Sequence, residues 1–110
     1  ASPRAAVGFL RHASDLHTAL LDGRRSLNMP GVECSIADQI SALERLAGAD
    51  AVALIKREPD EMITRIVSGW PVQFDAARAR ALGFVAEDSF DEILRVYVED
   101  DLDPARAKAL

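Results

Sequence analysis

The segment FDAARARALGF, residues 74–84, contains a complete short helix together with its start and stop signals. Asp75 is a suitable cap for a helix over residues 76–82, because its side chain can accept a hydrogen bond from a free backbone N–H. Gly83 suits the end of that helix, since glycine adopts the left-handed backbone conformation at low cost. We expect Leu82 to lie in the core, and Arg78 and Arg80 to be solvated.

A second helix start follows this segment at Ser89. Glu92 stands three residues later, which is the spacing of a capping box. The apolar residues behind it recur with a helical period, which predicts one buried side for the last clear helix: Phe90, Ile93, Leu94, Tyr97 and Val98. Residues 103–110 form a polar, Ala-rich tail that we expect to be frayed.

The N-terminal half predicts two more capped helices. Ser2 and Pro3 resemble an N-cap followed by proline in the first turn, and that helix is expected to end near Gly23. Its predicted buried side contains Ala6, Leu10, Ala13, His17 and Leu20. Ser35 and Asp38 form a second capping box, and Gly48 suits the end of the helix that follows. The apolar residues of that helix repeat with a helical period: Ile36, Ile40, Leu43 and Leu46/Ala47.

A fourth helix is predicted after Pro59, because acidic residues follow at the positive end of the helix dipole. Its apolar side contains Met62, Ile63, Ile66 and Val67, and it ends at Gly69-Trp70-Pro71. Residues 26–29 and 72–74 are candidate short strands, and residues 52–56 fit either a strand or a helical turn. The predicted fold class is therefore α+β and mainly helical, with four to five helices and one to three short strands.

Composition limits the classes of function. The 110 residues are 49% hydrophobic and 28% charged, which is typical of one soluble globular domain. A net charge of −5 does not favour a nucleic-acid binder, and no apolar segment approaches the length of a membrane span. A single cysteine excludes a disulfide framework and a Cys-rich zinc site, and favours a reduced, cytoplasmic setting.

The sequence lacks the common catalytic motifs. It has no glycine-rich phosphate loop and no Gly-x-Ser-x-Gly nucleophile turn. His12 and His17 are five positions apart, so on a helix they do not point at one metal ion. No activating base lies near Cys34 in the sequence. We therefore predict no catalytic residue and no metal site, and we interpret His17 as a histidine of the core or of an interface.

Three motifs occur in a particular order: Ser2-Pro3-Arg4-Ala5-Ala6-Val7 opens a helix, Leu27-Asn28-Met29-Pro30-Gly31 precedes a capped helix, and residues 74–84 precede Ser89-Phe90-Asp91-Glu92-Ile93. In this order they resemble the C-terminal part of an extended short-chain dehydrogenase/reductase, the NAD-dependent epimerase/dehydratase family. Within that family the chain looks similar to the nucleoside-diphosphate-sugar epimerase-like and D-erythronate dehydrogenase-like group. The resemblance spans residues 2–102.

The resemblance implies a substrate-binding region over residues 1–102, with a sugar or sugar-acid substrate and NAD in the parent enzyme. The family's glycine-rich loop and Tyr-x-x-x-Lys pair precede this region. Here the only tyrosine is Tyr97, and the residue four positions later is Asp101. We therefore expect the chain to be an inactive fragment whose partner is the missing Rossmann domain of the same protein. The alternative is a stand-alone acidic helical protein-interaction domain without catalysis.

Substrate contacts are expected at Arg4, Arg65 and Trp70. Arg4 lies in the matching motif at a helix start, where a guanidinium and backbone N–H groups can bind an anion. Arg65 and Trp70 lie between the better-matched motifs. The alternatives are an exposed helix arginine for Arg4, a surface ion pair for Arg65, and a packing anchor in the core or at a domain interface for Trp70.

Overall fold

The computed structural model describes residues 1–71 and 73–107, and that part of the chain contains α-helices and no β-strand. The helices are α1 (Pro3–Asp15), α2 (Ile36–Ala53), α3 (Glu61–Val67), α4 (Ala77–Ala81), α5 (Phe90–Asp100) and α6 (Pro104–Ala107). A 3₁₀ turn spans Thr18–Leu21. The mainly helical class is confirmed. The tail begins with α6, while residues 108–110 and Val72 lie outside the described residues.

The helices begin where the polar residues of the sequence can accept hydrogen bonds from free backbone N–H groups. Ser2 and Ser89 each accept from the amide three residues later, at 3.1 and 3.2 Å. Ser35 and Asp38 form the predicted capping box. Asp60 caps α3 by accepting hydrogen bonds from the backbone N–H groups of Met62 and Ile63, at 2.8 and 3.0 Å. Each cap satisfies donors that a helix start otherwise leaves unpaired.

The first helix differs from the prediction in length and in the face that it buries. Helix α1 ends at Asp15, and His17 caps the following 3₁₀ turn. The side chains predicted to be buried are all exposed: Ala6, Leu10, Ala13, His17 and Leu20. The stripe that packs inward is instead Ala5, Phe9, His12 and Leu16. The predicted buried face of α1 and a core position for His17 were wrong, because α1 carries apolar residues on two faces and only one of them meets the residues after α4.

That contact centres on Phe84, whose side chain is 3% exposed. The Phe84 ring lies edge-on to His12 and Phe9, with centroid separations of 4.6 and 6.2 Å. His12 Nε2 lies 2.7 Å from the Leu82 carbonyl oxygen, which requires this nitrogen to carry the donated proton. Gly83 has φ of +89°, and a Cβ there would lie 3.1 Å from His12 Nε2. Glycine is therefore needed both for the turn and for the close approach of His12.

Helices α2 and α5 form the second packing contact, which surrounds the buried Ala42. Arg45 of α2 donates to both carboxylate oxygens of Asp91 on α5, at 2.9 and 2.7 Å. The Arg45 guanidinium lowers the pKa of the Asp91 carboxyl below its ordinary value. Gly48 has non-helical backbone angles, with φ of +78°, so the first helical segment stops there as predicted and a further helical segment continues to Ala53.

Arg78 holds the long connection between α1 and α2 against α4. It was expected to be solvated, but its guanidinium donates to the carbonyl oxygens of Leu21, Arg24 and Ser26. Residues 24–35 have no regular secondary structure, and the candidate strand at residues 26–29 is absent from this described part. A strand needs a neighbouring strand for its backbone groups, and here a side chain satisfies some of these carbonyls instead.

The chain is unusually flat and open. Its extents are 51 × 38 × 17 Å, and its radius of gyration is 17.3 Å, where a compact chain of this length has about 13 Å. The accessible surface is 8728 Å², against roughly 5900 Å² for a folded monomer of this mass. Large apolar side chains are exposed on both α1 and α3, among them Leu10 and Met62. Much of the apolar surface is therefore uncovered within this chain.

We expect Phe84→Ala to destabilise the chain by about 3–4 kcal/mol, because it removes the ring that joins α1 to the residues after α4. Urea or thermal denaturation followed by circular dichroism measures the loss. The matched control is Phe74→Ala, whose ring is 64% exposed and should cost less than about 1 kcal/mol. Equal losses for the two variants would contradict the assigned core.

Candidate functional site

Arg4 lies in the first turn of α1 and forms ion pairs with the end of α5. Its Nε and Nη2 donate to the two carboxylate oxygens of Asp100 at 2.9 and 2.6 Å, and Nη2 also donates to Glu99 at 2.8 Å. The Asp100 and Glu99 carboxylates raise the pKa of Arg4 above its ordinary value, and Arg4 lowers the pKa of Asp100. One cation between two carboxylates leaves net negative charge, which is unfavourable for an anionic ligand.

Arg65 and Trp70 lie at the end of α3 and just beyond it. Arg65 stands in the last turn of α3, and Trp70 follows the helix after a short turn closed by a hydrogen bond from the Trp70 N–H to the Val67 carbonyl, at 3.0 Å. Both side chains are exposed, Trp70 at 64%. Within the described residues Arg65 makes no ion pair, so its guanidinium has all its donors available for another group. Two of the three predicted contacts therefore lie in one segment, α3 and the turn after it, while Arg4 belongs to a separate ion-pair cluster.

Ser2 fixes the start of α1 to the segment before α5. Its side chain is 1% exposed, and both its backbone N–H and its hydroxyl donate to the Glu87 carboxylate. Partial burial opposes ionisation of Glu87, but the hydrogen bonds from Ser2 outweigh it and hold the Glu87 pKa below its ordinary value. With the Arg4–Asp100 pair, this contact sets the position of the α1 terminus relative to α5.

A cavity lies between the loop before α2 and the start of α4. Its volume is about 570 Å³, and its lining includes Met29, Glu33, Phe74, Asp75 and Arg80. Arg80 therefore borders a cavity rather than bulk solvent alone. Two carboxylates and one guanidinium at its edge give the cavity a net negative lining.

Sequence reasoning missed the roles of His12 and Arg78. The spacing of Ala5, Phe9, His12 and Leu16 carries the signal for His12, because these positions form a second apolar stripe on α1. The Arg78 contacts with backbone carbonyls have no comparable signal, since any exposed arginine on a short helix looks the same in sequence.

The residues present do not fit an NAD site. The sequence contains no glycine-rich loop to approach the cofactor's diphosphate, and Tyr97 is followed four positions later by Asp101 instead of lysine. Within residues 1–71 and 73–107, no group of three or more His, Cys, Asp or Glu side chains is placed to hold a metal ion. Among the same residues, no helix combines the length and the apolar character that crossing a membrane requires.

The Ser2–Glu87 contact predicts acid sensitivity. Because the Glu87 pKa is lowered on folding, its stabilising contribution is complete above its ordinary pKa of 4.5 and is lost as the pH falls through the lower folded value. Glu87→Gln should lower the melting temperature at pH 7 by about 4 °C, with a smaller difference at pH 3. Glu44→Gln, an exposed carboxylate on α2, is the control and should change little. A pH-independent difference for Glu87→Gln would contradict this assignment.

The chain is similar to two curated proteins over nearly its whole length. It is 41% identical over 99 residues to a D-erythronate dehydrogenase of Cupriavidus necator, covering 90% of this chain and 31% of that protein. It is 32% identical over 101 residues to a D-erythronate dehydrogenase of Haemophilus influenzae, covering 92% of this chain and 32% of that protein. The chain thus spans about a third of the length of these relatives. No protein-family model matches it.

A solved structure gives the same result for the fold. The nucleoside-diphosphate-sugar epimerase from Agrobacterium tumefaciens superposes with a TM-score of 0.89 at 52% sequence identity, covering 92% of this chain and 30% of that one. Sequence and fold therefore agree on which group of proteins the chain is similar to. These matches confirm the resemblance of the chain to the C-terminal portion of an extended short-chain dehydrogenase/reductase, in the nucleoside-diphosphate-sugar epimerase-like and D-erythronate dehydrogenase-like group.

Proposed function

We propose that residues 1–102 are the substrate-binding part of an NAD-dependent sugar epimerase or sugar-acid dehydrogenase. The single observation that carries this proposal is 41% identity to a D-erythronate dehydrogenase over 90% of the chain. The absence of a glycine-rich loop and of a Tyr-x-x-x-Lys pair from the sequence supports a parent protein in which cofactor binding and substrate binding belong to different regions. In the parent protein, another region binds NAD and supplies the proton and hydride chemistry, and this chain supplies part of the substrate pocket.

Within this proposal Arg65 is the residue that binds the anionic group of the substrate. A sugar acid carries a carboxylate, and a guanidinium binds carboxylates with two parallel hydrogen bonds. Arg65 has no carboxylate partner among the described residues, whereas Arg4 is held by Asp100 and Glu99. Arg4 then contributes to the proposed substrate pocket by setting the position of α1 and through the hydrogen-bond donors on its Nη1. Trp70 offers an exposed indole on the same element as Arg65.

The open surface of the chain supports the second part of the proposal, a docked Rossmann domain of the same protein. Ala6, Val7, Leu10 and Ala13 form an exposed apolar face on α1, beside the face that packs on Phe84. An uncovered face of this kind marks an interface in a soluble protein. We assign this α1 face to contact with the cofactor-binding region. A stand-alone interaction domain, the alternative, would be expected to bury more of its own apolar surface.

The purified 110-residue chain should neither bind NAD nor oxidise D-erythronate with NAD. Isothermal titration calorimetry with NAD and absorbance at 340 nm measure the two properties. The complete protein encoded by the gene is the positive control, and a Gly-x-x-Gly-x-x-Gly sequence after a strand is expected upstream of residue 1. Turnover by the 110-residue chain alone would overturn the proposal that another region binds NAD and supplies the chemistry.

Arg65→Ala in the complete protein should raise KM for a sugar-acid substrate by about 10–100-fold, because one bidentate contact to a carboxylate contributes roughly 1.5–3 kcal/mol. The matched control is Arg95→Ala, which removes an exposed arginine from α5. Steady-state kinetics with both variants give the comparison. An unchanged KM for Arg65→Ala, or an equal rise for the control, would contradict the role of Arg65.

A further inference from the structure

The cavity of about 570 Å³ lies between two segments that are far apart in the sequence, and neither Arg4 nor Arg65 lines it. Met29 and residues 31–33 form one wall, and residues 73–77 with Arg80 form the other. Sites for small molecules in proteins have volumes of roughly 300–1000 Å³. The cavity is therefore large enough for a sugar-sized group.

Side-chain hydrogen bonds hold the two walls in place. Arg78 donates to three backbone carbonyl oxygens of residues 21–26, directly before the first wall. Asn28 Nδ2 donates to the backbone carbonyl oxygen of Asp75 at 3.4 Å, which joins one wall to the other. Because residues 24–35 have no regular secondary structure, these bonds replace the backbone pairing that would otherwise fix the wall. The cavity is thus formed before a ligand binds, which lowers the free-energy cost of binding.

The polar groups of the lining are available to a ligand. Glu33 and Arg80 are exposed, and neither forms an ion pair within the described part of the chain. Asp75 uses Oδ1 to accept from the Ala77 N–H, at 2.9 Å, which leaves Oδ2 outside this cap. Gln73 adds an exposed amide, which both donates and accepts. The cavity therefore offers hydrogen-bond acceptors and donors side by side.

The charges of the lining select the class of ligand. Two carboxylates against one guanidinium disfavour an anion at this place. A hydroxyl group suits the same lining, because its O–H donates to a carboxylate and its oxygen accepts from a guanidinium or an amide. The exposed Phe74 ring and the Met29 side chain supply apolar surface for the C–H groups of a carbon chain. A polyhydroxylated carbon chain meets all of these conditions.

We propose that this cavity is a subsite for the hydroxyl-bearing part of the substrate. Glu33, Asp75 and Arg80 are its hydrogen-bonding residues, and Arg78 is the positioning residue of its loop wall. The subsite rests on the proposed function, since a sugar or sugar-acid substrate supplies the hydroxyl groups. Two chemistries of such a substrate are then bound at different places: the carboxylate at Arg65, and the hydroxyl groups at the cavity.

Filling the cavity tests the subsite. In the complete protein, Ala77→Leu should raise KM for D-erythronate, the test substrate of the proposed function, at least about 10-fold, because the larger side chain occupies the space of the hydroxyl groups. Ala81→Leu is the matched control and should change KM less than about twofold, since Ala81 is exposed on the same helix and does not line the cavity. Steady-state kinetics give KM, and calorimetry with NAD checks that both variants keep the cofactor site.

A ligand without a carboxylate separates the subsite from the contact with Arg65. Erythritol, a polyol with one hydroxyl on every carbon, should inhibit D-erythronate oxidation competitively. Glu33→Ala should raise the inhibition constant of erythritol at least about 10-fold, because a hydroxyl loses a charged hydrogen-bond acceptor. Glu44→Ala removes an exposed carboxylate from α2, and this control should change the inhibition constant less than about twofold.

The positioning role of Arg78 has its own readout. Arg78→Ala should raise KM for D-erythronate and the inhibition constant of erythritol by the same factor, about 5–10-fold, because the loop wall loses its anchor. A merely structural role would lower the melting temperature and leave the inhibition constant unchanged. Arg95→Ala, which removes an exposed arginine from α5, should change neither constant.

Two failures are distinguishable. Oxidation of D-erythronate that erythritol does not inhibit would overturn the subsite alone, and so would equal effects of Ala77→Leu and Ala81→Leu on KM. A complete protein that binds NAD without oxidising D-erythronate would instead contradict the substrate class of the proposed function, and the subsite would fail with it.

Discussion

The packing of Phe84 against α1 is the contact on which the rest of the fold depends. A side chain 3% exposed joins α1 to the residues after α4, although α2 and α3 lie between them in the chain, and His12 fixes the distance by donating to the Leu82 carbonyl. Gly83 lets the backbone turn beneath the imidazole. Because these three features act at one point, they determine which face of α1 turns inward and which remains uncovered.

The packing of Phe84 on one face of α1 leaves other apolar faces uncovered. Once Phe84 occupies one side of α1, the stripe with Leu10 has no partner within the described residues, and α3 stands apart with its own apolar side exposed. The polar contacts at the N-terminal end of α1 fix the position of its first turn. Ser2–Glu87 and Arg4–Asp100 hold its first turn against the segment before α5 and against the end of α5, and these hydrogen bonds add to the Phe84 contact in setting the orientation of the uncovered α1 face.

Local signals predicted most of the helices, and long-range contacts account for what they missed. Caps at Ser2, Ser35 and Ser89 depend on neighbouring residues only, and the sequence predicts them. The Asp60 cap is a finding of the structure, because the sequence pattern places Asp60 inside the first turn of its helix. The buried side of α1 could not be read in the same way, because both of its faces are apolar and the choice depends on a residue more than 60 positions away. The Arg78 contacts likewise depend on a connection without regular structure. Of the candidate site, the sequence indicates Arg65 and Trp70 only by their place between the better-matched motifs, and their exposure is a finding of the structure. The carboxylates around Arg4 come from the far end of the chain.

The thickness of 17 Å has a consequence for how this chain can change in evolution. Helices are about 10 Å across with their side chains, so the chain is less than two helix diameters thick in that direction. Every residue of so thin a chain is close to a surface, and different sides of one helix contact different neighbours. Substitutions at Phe9 are constrained by Phe84 within the chain, whereas substitutions at Leu10 are constrained by whatever covers the outer face. Adjacent positions on α1 should therefore co-vary with residues in different places, and an alignment of complete proteins would separate the two sets.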